Sequence, residues 1–183
     1  DSEDEEKNAT GVMYTFVKHD KPYYTNNWAG FSESFKSFND MITKYGSWVN
    51  VDWDEVKMMI TRKTRLIIIN SPHNPTGTVL KKSDLDALAH LVANSNILVL
   101  SDEVYEHITF DGLPHVSVAS HPILAERSFV VFSFGKTFHA TGWKLGFVLA
   151  PENLMKEFRK VHQFVVFTVN TPVQYAVAEF LTD

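Results

Sequence analysis

Phe129-Val130-Val131-Phe132-Ser133-Phe134-Gly135-Lys136-Thr137-Phe138-His139-Ala140-Thr141-Gly142-Trp143-Lys144 is the stretch on which the fold turns. It opens with an apolar run of strand type, and a second such run, Leu145 to Ala150, follows it. The connection through Lys136 is too short for a full crossover helix, so the second strand is expected antiparallel to the first. The connection also carries chemistry. Lys136 lies three residues after Ser133 and eight before Lys144. A desolvated lysine can form a Schiff base with an aldehyde, and a hydroxyl with a second cation can hold a phosphate. Together these describe a site for pyridoxal 5′-phosphate.

Two more strand-then-motif units lie upstream. Arg65 to Ile69 runs into Asn70-Ser71-Pro72-His73-Asn74-Pro75-Thr76-Gly77, and Ile97 to Leu100 runs into Ser101-Asp102-Glu103-Val104-Tyr105. The strands over Leu66 to Ile69 and Ile97 to Leu100 read as buried parallel strands, the first apolar on both sides. Asp52 is an N-cap with Glu55 completing a capping box before Val56, Met59 and Ile60. Ser83 is expected to cap a helix whose Leu85, Leu88, Ala89 and Val92 form one apolar face. Two further helices are expected, from about Glu152 and after Pro172. Near the start, Met13 to Val17 suits a short strand and Asp20-Lys21-Pro22 a turn. Phe31, Phe35, Phe38, Ile42 and Tyr45 recur at helical spacing up to Gly46, an amphipathic helix burying its rings.

Strand, helix, strand predicts an α/β fold: a three-layer, mostly parallel sheet flanked by helices. In such sheets ligands bind at the carboxyl ends of strands. Asn74, Asp102 and Ser133 each fall just past a predicted strand, so the fold can gather them although the chain separates them.

Composition narrows the function. The net charge of −5 is concentrated in Asp1 to Lys7, and the rest of the chain is nearly neutral. That disfavours a nucleic-acid surface, which needs a basic patch. Residues 1–11 read as an acidic, disordered tail and 12–183 as part of one domain. Asn8-Ala9-Thr10 is a glycosylation triplet without a secretion signal to support it. With no cysteine, disulfides and thiolate metal sites are excluded. The eight histidines show no helical pair at metal-ligand spacing. There is no Gly-x-Gly-x-x-Gly fingerprint, no phosphate loop and no membrane-length apolar run.

Asn-Pro-Thr-Gly, Asp-Glu-Val-Tyr, Gly-Lys-Thr-Phe and Thr-Gly-Trp-Lys, in this order, resemble class I aminotransferases of fold type I. The resemblance is nearest to the subgroup of kynurenine, glutamine and methionine aminotransferases and covers about Val51 to Leu181. It implies a pyridoxal-phosphate enzyme moving an amino group between an L-amino acid and a 2-oxo acid. Lys136 would hold the cofactor and shuttle a proton. Asp102 would pair with the pyridine nitrogen. Asn74 and Tyr105 would donate to the phenolic oxygen, Asn74 also touching the substrate carboxylate. Ser133 and Lys144 would bind the phosphate, and Glu103 reads as structural, satisfying a neighbouring backbone group or histidine. The resemblance further implies a homodimer when full length, a cytoplasmic location, and a chain holding only part of the cofactor-binding large domain. A carbon–sulfur β-lyase uses the same lysine and aspartate, and a truncated, non-catalytic cofactor-binding module is the other alternative.

Overall fold

The structure, a computed structural model, describes residues 50–182. The acidic tail, the strand over Met13 to Val17, the turn at Lys21 and the aromatic helix over Phe31 to Tyr45 therefore lie outside the described residues.

Ten elements follow in order: α1 (Trp53–Met59), β1 (Leu66–Asn70), α2 (Lys82–Val92), β2 (Leu98–Asp102), α3 (Pro122–Ala125), β3 (Ser128–Ser133), α4 (Phe134–Thr137), β4 (Gly146–Leu149), α5 (Glu152–Val165) and α6 (Thr171–Phe180). The four strands form one sheet in the order β1-β2-β3-β4. The first three are parallel, with Asn70 opposite Asp102 and Asp102 opposite Val131. As the short lysine connection predicts, β4 is antiparallel to β3, with Ser133 opposite Gly146.

Asp52 does cap α1, its carboxylate accepting from the N–H groups of Asp54 and Glu55. The cap expected for α2 is corrected. The helix begins at Lys82, so Ser83 already lies inside its first turn. There Asp84 reaches back instead, accepting from the Lys81 N–H at 2.7 Å. A carboxylate in the first turn satisfies an orphan donor and favours the positive end of the helix dipole.

The apolar face of α2 lies where its spacing puts it. Leu85, Leu88, Ala89 and Val92 are buried against Ile67 and Ile69 of β1, Val99 of β2 and Val130 of β3. Each large side chain so buried contributes roughly 1.5–3 kcal/mol. Arg127 closes the far end of α2, donating through Nη1 to the carbonyls of Val92 at 2.7 Å and Ser95 at 2.9 Å. Val92 ends the helix, so its carbonyl has no partner within it, and Ser95 lies in the turn that follows. The crossover from β2 to β3 has little helix, only a 3₁₀ turn at Val118–Ser120 and the single turn of α3. Val118 and Leu124 pin it to the core.

Burial of β1 on both sides is met on one face only. Ile67 and Ile69 are buried whereas Leu66 and Ile68 are half-buried. Alternation sends neighbouring side chains to opposite faces. The second face meets α5 through Phe129 and Phe158, whose ring centres lie 6.0 Å apart.

Candidate functional site

Register brings the site together. Because Asn70 pairs with Asp102, the segments after β1 and β2 leave the sheet at the same level. The first makes a tight loop: the Gly77 N–H donates to His73 O at 2.7 Å, and the His73 N–H to Thr78 O at 2.8 Å. Gly77 has φ +72°, a conformation glycine adopts without a Cβ penalty. The loop holds Asn74 so that its Nδ2 donates to the Tyr105 hydroxyl oxygen at 3.2 Å. Tyr105 sits in the turn after β2, and the Lys136 ammonium lies 5.6 Å from its ring centre.

Lys136 itself is carried by α4, the single turn at the end of β3. The Ser133 hydroxyl oxygen caps that turn by accepting from the Lys136 N–H at 3.3 Å. Thr137 adds a hydroxyl donation to Ser133 O at 3.1 Å. Close packing fixes the turn on its other side: a Cβ on Gly135 would meet Ala140 O and Thr141 Cα at 3.1 Å each.

Asp102 ends β2 with its carboxyl half-buried. Burial pushes that carboxyl above its usual range, against a hydrogen bond from the Val104 N–H and the opposite charge of Lys136. Glu103 is the reverse case on the opposite face. It is 1% exposed. Burial alone would raise it, but hydrogen bonds from His115, Ser117, the Val118 N–H and Ser101 outweigh burial and hold it below its usual range. His115 Nε2 lies 2.8 Å from its Oε2, and Ser101 donates to its Oε1 at 2.8 Å. The structural role expected for Glu103, with a histidine and a backbone group as partners, is what the geometry shows.

Contacts thus join four of the six candidate residues, Asn74 to Tyr105, Tyr105 to Lys136 and Lys136 to Ser133, and the charge of Lys136 also acts on the Asp102 carboxyl. Lys144 is tied to them by register alone. It lies exposed, in the left-handed region at φ +53°, two residues before the Gly146 that pairs with Ser133. Asn70 was not assigned a role from sequence, yet its amide bridges two site segments, donating to Asp102 O at 2.9 Å and accepting from the Asn74 N–H at 2.9 Å. Its signal was an amide ending an apolar strand directly before the loop. An apolar cavity of about 310 Å³ lies between Phe134, Phe138, Trp143, Leu145, Val177 and Phe180. It has no titratable lining residue. Among the described residues there is no cluster of metal-ligand side chains, and no helix is long and apolar enough to cross a membrane.

The family model for class I and II aminotransferases matches residues 23–183, starting upstream of the Val51 at which the motif resemblance begins. The chain is 51% identical over 131 residues to the methionine aminotransferase of Escherichia coli (strain K12), covering 72% of this chain and 34% of that relative. It is 42% identical over 132 residues to kynurenine–oxoglutarate transaminase 1 of Mus musculus, covering 70% and 31%. The crystal structure of YbdL from Escherichia coli, identified with a methionine aminotransferase function, superposes with TM-score 0.71 at 50% identity, covering 73% of this chain and 35% of that one. The chain spans about a third of the length of the curated relatives it matches.

Proposed function

Because this chain belongs to the class I and II aminotransferases, we propose that it is the cofactor-holding part of an enzyme that moves an amino group from an L-amino acid to a 2-oxo acid. The observation that carries the reading is Lys136 standing over Tyr105, whose hydroxyl Asn74 bonds, with Asp102 ending the neighbouring strand at the carboxyl edge of the sheet. Pyridoxal 5′-phosphate, when bound, supplies an aldehyde for the amine and a ring that withdraws electrons.

The residues present fit that group. The Asp102 carboxyl pays for its charge in lost hydration, so a cationic ring nitrogen is the partner that its environment favours. The Tyr105 oxygen accepts from Asn74, which leaves the phenolic proton free to point at another oxygen. The Ser133 oxygen accepts from a backbone N–H, which leaves its own proton for a phosphate oxygen. Lys144 adds a point charge to the same phosphate. Lys136 Nζ would hold the cofactor through its aldehyde and, once displaced by the substrate amine, would take the proton from the substrate Cα. Asn74 orients the substrate carboxylate.

The names of the relatives support a methionine- or kynurenine-like donor. We read residues 12–183 as part of the large domain and the full-length protein as a cytoplasmic homodimer, acting on small molecules rather than nucleic acid or membrane. Large apolar side chains exposed on α5 and α6, including Phe164 at 86% and Tyr175 at 72%, support a further protein surface packed there. Sedimentation of the full-length protein as a monomer would count against the dimer. The function is tested by titrating pyridoxal 5′-phosphate into wild type and Lys136→Ala while following absorbance, then adding methionine or kynurenine. Wild type should show a lysine-dependent band that the amino acid changes. A Lys136→Ala protein that transaminates at the wild-type rate would refute the reading.

A further inference from the structure

We propose that Asn70 is a positioning residue, which sets Asn74 and Asp102 in one fixed relation so that their contacts with the cofactor form together. The inference rests on the cofactor reading above and goes beyond it, because Asn70 itself need touch neither cofactor nor substrate.

The carboxamide offers one acceptor and two donors, and the structure uses both kinds at once. Oδ1 accepts from the Asn74 N–H at 2.9 Å, while Nδ2 donates to Asp102 O at 2.9 Å. The two partners lie on different segments, so the bridge couples them. Asp102 O receives a second donation, from the Ser71 N–H at 3.0 Å, which fixes the peptide just after the Asp102 side chain. On the far face the next residue, Glu103, is clamped by Ser101, His115 and Val118. Held from both faces, the end of β2 has one position available. The anchored Asn74 backbone in turn aims Nδ2 at the Tyr105 hydroxyl.

Loss of the bridge therefore has two signatures. Affinity falls, because Asn74, Tyr105 and Asp102 must be ordered at binding instead of beforehand. The proton on the lysine–cofactor linkage is held more tightly, because a phenolic oxygen with looser donors keeps more negative charge beside it.

The experiment compares wild type, Asn70→Ala, Asn70→Asp, Leu88→Ala and Lys136→Ala in the full-length protein. It reads the pyridoxal 5′-phosphate Kd, the pH midpoint of the bound absorbance, and thermal unfolding without cofactor. Asn70→Ala should raise Kd about tenfold, the size of one or two lost hydrogen bonds, and move the midpoint upward. Asn70→Asp keeps the side-chain shape and the acceptor toward Asn74 but no longer donates to Asp102 O. It should raise Kd at least about threefold while still folding. Leu88→Ala, fully buried on α2 away from the site, should lower thermal stability but leave Kd and midpoint near wild type. The inference is overturned if both Asn70 variants bind within twofold of wild type with an unmoved midpoint. It is equally overturned if Leu88→Ala reproduces their changes. If instead Lys136→Ala keeps the wild-type pH-dependent absorbance, the cofactor reading itself falls, and the inference with it.

Discussion

Gly146→Ala should uncouple β4 from β3 and so loosen the turn that carries Lys136. A Cβ at position 146 would lie 2.3 Å from Phe132 O and 3.4 Å from Ser133 Cα. A carbon and a carbonyl oxygen meet at about 3.3 Å at closest, so the backbone must open by about 1 Å. The atom met is main chain, so no rotamer change can relieve it. Forced over-packing of this kind costs about 1–3 kcal/mol, and a rigid backbone partner puts the expectation near 3 kcal/mol. For a chain of this size that corresponds to a fall in Tm of roughly 6–12 °C. The displaced pair is Ser133 with Gly146, and both Lys136 and Lys144 hang from it. Affinity for pyridoxal 5′-phosphate should therefore fall by about tenfold or more, as expected when placed groups move by an ångström. Gly142→Ala is the control, since its added Cβ meets nothing within 4 Å and should stay within about 0.5 kcal/mol of wild type. Urea denaturation and a cofactor titration on both variants decide the matter. A Gly146→Ala protein as stable and as tight-binding as Gly142→Ala would refute the strand-spacing argument.

Arg127→Ala strips the carbonyls of Val92 and Ser95 of a charged donor. Urea unfolding should show a loss of about 2–3 kcal/mol, with no change in the position of the bound absorbance. Glu103→Gln should lower stability at neutral pH by about 2 kcal/mol through its weakened hydrogen bonds. Because the folded Glu103 carboxyl lies below its ordinary 4.5, its contribution is complete above that pH and is lost as pH falls through the folded value. The variant's stability should thus vary less than wild type between neutral and acid pH. Asp102 has the opposite sign: raised above its ordinary 3.8, it withdraws stability from the cofactor-free fold as pH rises through the interval between the two values. Asp102→Asn should therefore be at least as stable as wild type without cofactor at pH 7, yet bind pyridoxal 5′-phosphate more weakly. A variant both less stable and equally tight would contradict that assignment.

Strand placement was legible because β1, β2 and β3 are apolar runs ending in polar motifs, and the return of β4 because its connection is too short for a crossover. The start of α2 was not. Lys81, Lys82 and Ser83 are all compatible with a helix N-terminus, and Asp84 decided it by bonding the Lys81 N–H. Half-burial of Leu66 and Ile68 was also hidden, since an apolar strand shows what can be covered and not what covers it. At the site, Asp102 and Ser133 announced themselves by ending strands and Asn74 by lying in the loop just past one. The bridge made by Asn70 did not, because its partner Asp102 is 32 residues away and is selected by register. The Glu103 to His115 pair was anticipated in kind, though nothing in the spacing singled out His115 from the other histidines.

Lys136 is the residue proposed to bond the cofactor. The direct measurement is to incubate the full-length protein with pyridoxal 5′-phosphate, reduce with borohydride to fix any aldehyde bound through a lysine nitrogen, digest, and locate the label by mass spectrometry. One stoichiometric label is expected, on the peptide bearing Lys136, and it should be lost in Lys136→Ala. A label spread over surface lysines, or placed on Lys144 with Lys136 unmodified, would contradict it.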